Sequence, residues 1–405
     1  MPNIKTTASK SRLSSIGAPI SARIGALWHN VSFRGVLYQI CLIAAIIAVG
    51  SYLLGNAQEA LEKRGIKTGF DFITSESGFA IGEKLIEYSP TDTYGRAYVV
   101  AILNTLKVSI ISVIFATILG VMIGIGRLST NWLISKLSSV YVELFRNTPQ
   151  LVQIVFWYTL VVNLPQARQA LQPIEGFFLS NRGFNMKWPA ADPANSWILG
   201  ALALGCLLAY GIGKWIHRRQ RLTGSHFNYF WWGLGIVVIL PLIAWLFGGM
   251  PTTIETPKMR GFNYVGGAYM SPEFLALMLG LSLYIASFIA EIVRSGIQSV
   301  DRGQIEAARA IGLSKSQIYR HVILPQALRV MVPPAAAQYV SLAKNSSLGV
   351  AIGYPELFNV NNTITTESGN TIECIAMMMA VYLSISFTIS LFMNWYNKTI
   401  QIKER

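Results

Sequence analysis

The sequence predicts an all-α polytopic membrane protein with about eight transmembrane helices, and three observations carry that prediction. The 405-residue chain is 52% hydrophobic with only 13% charged residues. Its charges leave long apolar gaps, and its basic residues gather on one set of connections. A bilayer core needs about 20 apolar residues per helix. No charge occurs between Arg34 and Glu59, Lys107 and Arg127, Arg146 and Arg168, Asp192 and Lys214, Arg221 and Glu255, Glu273 and Glu291, or Glu373 and Lys398. An eighth, shorter gap separates Arg329 from Lys344, whose long side chains can snorkel to the interface.

The first span, 35–58, begins only after a basic arm, 1–34, and no small-residue cleavage site follows it, so it reads as a span and not as a signal peptide. An outer loop, 59–96, mixes acids, glycines and aromatics. A second outer loop, 163–195, carries Pro165, Pro173, Pro189 and Pro193 and is expected to be irregular or partly re-entrant. Cys41, Cys206 and Cys374 lie inside apolar stretches and suggest neither a disulfide framework nor metal spacing. His29, His217, His226 and His321 are scattered near helix ends. No metal site and no catalytic constellation is expected from them.

Charge placement sets the orientation. With the N-terminus inside, the pieces 1–34, 127–138, 214–228, 294–329 and 398–405 hold 20 of the 33 Lys and Arg but only Asp301, Glu306 and Glu404 among the acids. The opposite side holds 11 bases and 14 acids. This is the positive-inside pattern, with both termini cytoplasmic. The net charge of +14 is therefore a topology signal and does not call for nucleic acid. The run Lys214, Arg218, Arg219, Arg221 reads as an inside turn.

One polar stretch interrupts the apolar chain: EAARAIGLSKSQIYRHVILPQ, Glu306 to Gln326. Asp301 is a good N-cap with Gln304 three residues on, and Gly312 is a good helix stop. Ser314 with Gln317 forms a capping box that starts a second helix, running toward Pro325. Ile305, Ala308 and Ile311 would line one face, with the small Ala307 and Ala308 permitting close approach. On shape alone, an interfacial elbow that merely links two spans fits equally well.

The spacing adds to this. Glu306-Ala307-Ala308, then Gly312, then Val322 and Leu324-Pro325 resemble the EAA motif of ATP-binding-cassette (ABC) importer permeases, with valine where isoleucine is usual. The resemblance implies that the two helices couple to a groove of a separate ATPase, a helix-in-groove contact. The implied ATPase-coupling residues are Gln304, Glu306, Ala307, Ala308 and Gly312. No G-x-x-x-x-G-K-[ST] phosphate loop occurs; Gly124-Ile125-Gly126-Arg127 lacks the lysine. The expectation is no cofactor in this chain, with ATP and Mg bound by the partner ATPase.

Further resemblance spans roughly Tyr98 to Tyr396. Asn104-Thr105-Leu106, the run from Glu143 to Gln153, Ala290 to Ile297, and Lys344-Asn345-Ser346-Ser347-Leu348 together look like the polar amino acid permeases, the histidine/glutamine/glutamate branch. Arg-Asn-Thr-Pro and Lys-Asn-Ser-Ser-Leu stand where Arg-Gly-Thr-Pro and Lys-Asp-Thr-Ser-Leu are usual. The size and the added spans are similar to AapQ-type subunits of general L-amino-acid importers. The resemblance implies a permease domain, 97–396, with a five-helix core, a cytoplasmic EAA loop at about 299–325, and a tail, 397–405. Three helices are added: the first, and a pair at about 196–248 expected to face lipid at the rim. The implied partners are a second homologous permease, an ABC ATPase dimer, a periplasmic amino-acid-binding protein, the inner-membrane bilayer and an amino acid cargo.

Polar groups at membrane depth usually face a cavity or one another. Asn104 and Thr105, Gln150 and Gln153, Ser287, Glu291, Gln338 and Lys344 are therefore the candidate substrate-path residues, each of which could instead make a helix–helix hydrogen bond. Glu143 and Arg146 could pair. Glu291 could pair with Arg294 or lie under a cargo ammonium. Pro333-Pro334 is expected to break the backbone ladder of the seventh span. The competing reading, a secondary transporter driven by an ion gradient, would favour paired intramembrane acids and inverted repeats. No span carries an aspartate and no inverted repeat is evident.

Overall fold

The structure is a computed structural model that describes residues 31–63, 69–190, 192–223, 230–249 and 253–400. Most of the basic arm, the end of the tail, His29 and His226 lie outside the described residues. The chain divides into two compact units, one of 1–72 with 368–373 and one of 73–367 with 374–405.

In the first unit, α1 (Val31–Lys63) carries the apolar stretch Phe33–Leu53, none of it buried by protein. Such a helix needs lipid around it. Gly69 donates its N–H to Glu373 at 2.7 Å, and Asn370 donates to the Gly69 carbonyl at 3.1 Å.

The second unit is built around α2 (Tyr94–Arg127) and α7 (Pro272–Gln298). Thr93 and Ser271 cap their N-termini, accepting from the N–H groups of Arg96 and Phe274. The spacing Gly120-x-x-x-Gly124 lets the two helices meet closely. A Cβ on Gly120 would stand 2.6 Å from the Ile289 Cβ, and one on Gly124 2.7 Å from the Val293 Cβ. Around them sit α3 (Trp132–Asn147), α4 (Gln150–Val162) and α10 (Leu324–Asn345), with α8 (Arg302–Ala310) and α9 (Lys315–Ile318) between α7 and α10. The core holds Val108, Ala116, Ile154, Phe274, Leu277, Leu281, Ile285, Ile289 and Leu342. A short α11 (Leu357–Ser368) and the long α12 (Thr371–Ile400) complete the chain, and α5 (Pro193–Thr223) and α6 (Phe230–Phe247) pack on each other.

Each charge-poor interval contains a helix, but only five described helices are long and apolar enough to cross a membrane: Phe33–Leu53, Tyr94–Arg127, Asn195–Gln220, Pro272–Gln298 and Thr371–Thr399. Two shorter apolar helices, Gln150–Val162 and Trp231–Phe247, fill two further intervals. The 13 residues of α4 span only about 20 Å, short of a ~30 Å hydrocarbon core. The eighth interval is α10, which runs unbroken through Pro333 and Pro334. The two prolines lack the N–H groups of two ladder bonds, as expected, yet the helix continues past them.

Two expected loops are ordered differently. The piece 127–138 between two charge-free intervals is largely helix: Asn131 accepts from the N–H groups of Leu133 and Ile134 and starts α3. Glu143 thus ends one helix instead of opening a span; Thr148, extended before Pro149, separates α3 from α4. The outer loop 163–195 is not irregular. Strands β1 (Leu171–Ile174), β2 (Phe177–Ser180), β3 (Gly183–Met186) and, from the connection before α7, β4 (Ala268–Met270) form an antiparallel sheet in the order β1-β2-β3-β4. Gly176 and Gly183 adopt positive φ at the turns, where a side chain would be strained. The aromatic pairs Phe177–Phe184 and Phe178–Tyr264, at 6.0 and 4.5 Å, stack on it. Prolines marked the loop, but alternating apolar residues built a sheet.

Candidate functional site

The elbow between α7 and α10 is folded by its own caps. Asp301 accepts from the Gly303 N–H at 2.9 Å, and Gly312 ends α8 in a left-handed turn at φ +82°. The Ser314–Gln317 capping box forms in both directions. The second helix does not stop before Pro325. It passes through a π-helical turn, Tyr319–Ile323, directly into α10, whose first turn holds Pro325. The wider turn relieves the ring that would otherwise crowd an α-helical carbonyl. The second elbow helix is therefore continuous with α10, while the first joins it across the Gly312 turn.

Its two faces differ. Ala308, Ile318 and Ile323 pack into the core beside Val300, Ala327 and Met331. Gln304, Glu306, Ala307 and Gly312 are exposed. Ile311, expected beside Ile305 and Ala308, is 76% exposed and belongs to the outer face instead. Of the coupling candidates, Ala308 alone serves the inner contact.

Among the described residues, the candidate path residues take separate partners. Asn104, fully buried, donates to the carbonyls of Glu83 at 2.8 Å and Pro355 at 2.9 Å. Thr105 donates to Ala101 and accepts from the Leu357 N–H at 3.0 Å. Gln150 accepts from Asn345 at 2.6 Å, joining α4 to α10, while its Nε2 is buried without a partner among the described residues. Gln153 donates to the Phe145 and Thr148 carbonyls and the Thr148 hydroxyl, so it holds the α3–α4 corner. Ser287 bonds back to Tyr284 at 2.6 Å. Gln338 is half-buried and Lys344 exposed. For Asn104, Thr105, Gln153 and Ser287 the bonds seen are helix or backbone bonds, the alternative left open by the sequence.

Two polar centres do form. At the elbow end, Glu291 pairs with both Arg127 and Arg294, and Arg294 reaches Gln298 at 2.6 Å. Beside them is a cavity of about 380 Å³ lined by Arg127, Val142, Glu143, Arg146, Asn147 and Phe288. Arg146 lies 5.0 Å from the Phe288 ring centroid, a cation–π contact, instead of pairing with Glu143. At the sheet end, Lys107 pairs with Glu83, and Ser271 donates to the same carboxylate at 2.6 Å. Glu356, fully buried, accepts from the N–H groups of Phe358 and Asn359 and from Tyr382, capping α11.

Sequence reasoning missed Glu83, Lys107 and Glu356. Lys107 offered a signal: it lies well inside the 34-residue α2, and a charge at membrane depth is costly. Glu83 and Glu356 offered none, because both lie in polar connections whose burial depends on distant residues.

Comparison with known proteins adds the lineage. A family model described as "Binding-protein-dependent transport system inner membrane component" matches residues 201–402. The general L-amino acid transport system permease protein AapQ of Rhizobium johnstonii is 43% identical over 378 residues, 93% of this chain and 94% of that one. The permease protein YhdX of Escherichia coli is 45% identical over 381 residues, 93% of this chain and 96% of the other. The glutamate/glutamine/aspartate/asparagine transport system permease protein BztB of Rhodobacter capsulatus is 38% identical over 418 residues, 95% and 97% of the two chains. With relatives this similar along nearly their whole length and a fold of packed apolar helices joined by a capped elbow, the chain belongs to the family of binding-protein-dependent transport system inner membrane components, the permeases of ABC transporters.

Proposed function

We propose that the chain is a membrane subunit of an importer for polar or general L-amino acids, working in the bacterial inner membrane with both termini in the cytoplasm. Cargo arrives on a periplasmic amino-acid-binding protein at the sheet end, and a separate ATPase dimer grips the elbow at the other. A second homologous permease completes the pathway. The chain itself catalyses no reaction; ATP and Mg bind to the partner ATPase. The relatives named above support the cargo class by their own descriptions.

One observation carries the mechanism. The elbow presents Gln304, Glu306, Ala307 and Ile311 outward from α8, and across the Gly312 turn α9 continues through the π turn into α10. A push on the exposed face is thus delivered to a core helix, and ATPase closure shifts the permease between inward- and outward-open states. At Gly312 the positive φ excludes a β-branched side chain. Gly312→Val is expected to lower ATP-driven uptake in reconstituted vesicles at least about tenfold, a loss of ~1.4 kcal/mol or more in coupling. The ATPase should co-purify weakly or hydrolyse ATP without uptake. Normal uptake by this variant would remove the elbow from the mechanism.

A further inference from the structure

Lys107 is a charge that the elbow mechanism leaves unused. It stands roughly 20 Å along α2 from Tyr94. Its Nζ meets Glu83 at 2.5 Å and lies 4.5 Å from the Phe274 ring centroid, and the two charged side chains are only 21% and 11% exposed. Glu83 belongs to a strap, residues 79–83, that meets Asn104 and Lys107 inside α2 and Ser271 at the start of α7. Its other carboxylate oxygen accepts from the Ser271 hydroxyl, and its carbonyl accepts from Asn104. The buried Asn104 keeps its Oδ1 without a partner among the described residues.

Glu83 lines a cavity of about 430 Å³ with residues 79–82, Tyr269, Ser271, Glu273, Asn359 and Thr363 among others, and Lys107 stands behind it on α2. That volume falls within the roughly 300–1,000 Å³ of small-molecule sites. An ammonium and a hydroxyl converge on the Glu83 carboxylate at its edge, and the Phe274 ring lies against that ammonium. A second carboxylate, Glu273, engaged by the Tyr158 hydroxyl at 3.3 Å, lines the same space. A free amino acid carries the same two charges, a carboxylate and an ammonium.

We propose that Glu83 is an internal stand-in for the carboxylate of a free α-amino acid. The cargo exchanges with it on Lys107 and Ser271 and places its ammonium against Glu273. Departure of the Glu83 carboxylate loosens the strap over the cavity, so occupancy and opening are coupled, and the closed strap lowers apparent affinity by the fraction of time it is shut. This inference rests on the amino-acid-importer reading.

The test uses the whole complex, permease pair with ATPase, in nanodiscs and vesicles. The first arm is ATP-driven uptake by the unaltered complex with its binding protein, for each of the common amino acids. Uptake of none removes the importer reading and this proposal with it. With uptake established, equilibrium binding is measured for L-glutamine, L-glutamate and L-alanine, with 4-aminobutanamide as the carboxylate-free counterpart of glutamine. Glu83→Gln is expected to tighten binding of the transported probe about tenfold or more. The carboxylate-free amine should gain nothing, and Lys107→Met added to Glu83→Gln should abolish the gain. The exchanged pair, Glu83→Lys with Lys107→Glu, retains the ion pair and keeps its ATPase but should lose uptake; it decides the matter if Glu83→Gln does not assemble. Unchanged affinity in Glu83→Gln, an equal gain for 4-aminobutanamide, or unaltered uptake KM in the exchanged pair overturns the proposal while leaving the importer reading intact.

Discussion

Two helix pairs in this chain look alike in composition and behave differently in the fold. The pair α2 and α7 and the added pair α5 and α6 are both apolar and free of internal charge over long stretches. Two-thirds of the apolar window of α7 is buried by protein, whereas only 12% of that of α5 is. In the first pair, Gly120 and Gly124 bring backbones so close that an added Cβ would also lie within 2.9 Å of the Ala286 and Ala290 carbonyls. In the second, Gly205 leaves 3.3 Å to the backbone of Ile236 and Val237. Hydropathy therefore reports that a helix is out of water, while close glycine contacts and polar content report whether protein or lipid surrounds it.

The connections differ in the same way. The added pair leaves and returns through a narrow neck, with Trp188 opposite Glu255, Pro189 opposite Ile254, and the Ala190 N–H bonded to the Thr253 carbonyl at 2.9 Å. Tyr210 of α5 meets Trp395 of α12 at 6.1 Å, an aromatic contact at the edge of the bundle. By contrast α7 touches α2, α3, α4 and α10 and leads straight into the elbow.

The contrast between the two pairs is broken most visibly at Gly120. Gly120→Leu must force α2 away from Ile289, and overpacking of this kind costs about 3 kcal/mol. The expected outcome is loss of the folded complex in detergent and of uptake in vesicles, read by size-exclusion profile and thermal unfolding. A variant that folds and transports normally would show that the two helices are not so closely apposed. The smaller effect belongs to Gly205→Ala. There the neighbouring backbone need yield only a few tenths of an ångström, a cost of about 1 kcal/mol in stability, with uptake near the unaltered rate. Loss of uptake equal to that of Gly120→Leu would make the added pair part of the moving core.

Much of the fold was legible because membrane burial writes itself into charge spacing, and the elbow because its caps are local. Asp301, Gly312, Ser314 and Gln317 needed only their neighbours in sequence, and all four do what their chemistry dictates. The sheet over 171–186 was missed because its fourth strand, Ala268–Met270, comes from beyond the added helix pair, and no local pattern announces so distant a partner. The partners of the path residues were not legible. Thr105 bonds back to Ala101 and also accepts from the distant Leu357, and Gln153 holds a corner, none of which sequence can separate from lining a channel. Lys107 was legible in kind, as a charge too deep to be idle, but its partner Glu83 was not.

The central claim is that movement across the bilayer is driven through the elbow by an ATPase that this chain does not contain. Its most direct test is uptake of amino acids into sealed vesicles holding the permease, with and without the ATPase, the binding protein and ATP. The account predicts uptake only when all are present, lost when ATP is replaced by a non-hydrolysable analogue and indifferent to an imposed proton or sodium gradient. Uptake by the permease alone, driven by such a gradient, would contradict it.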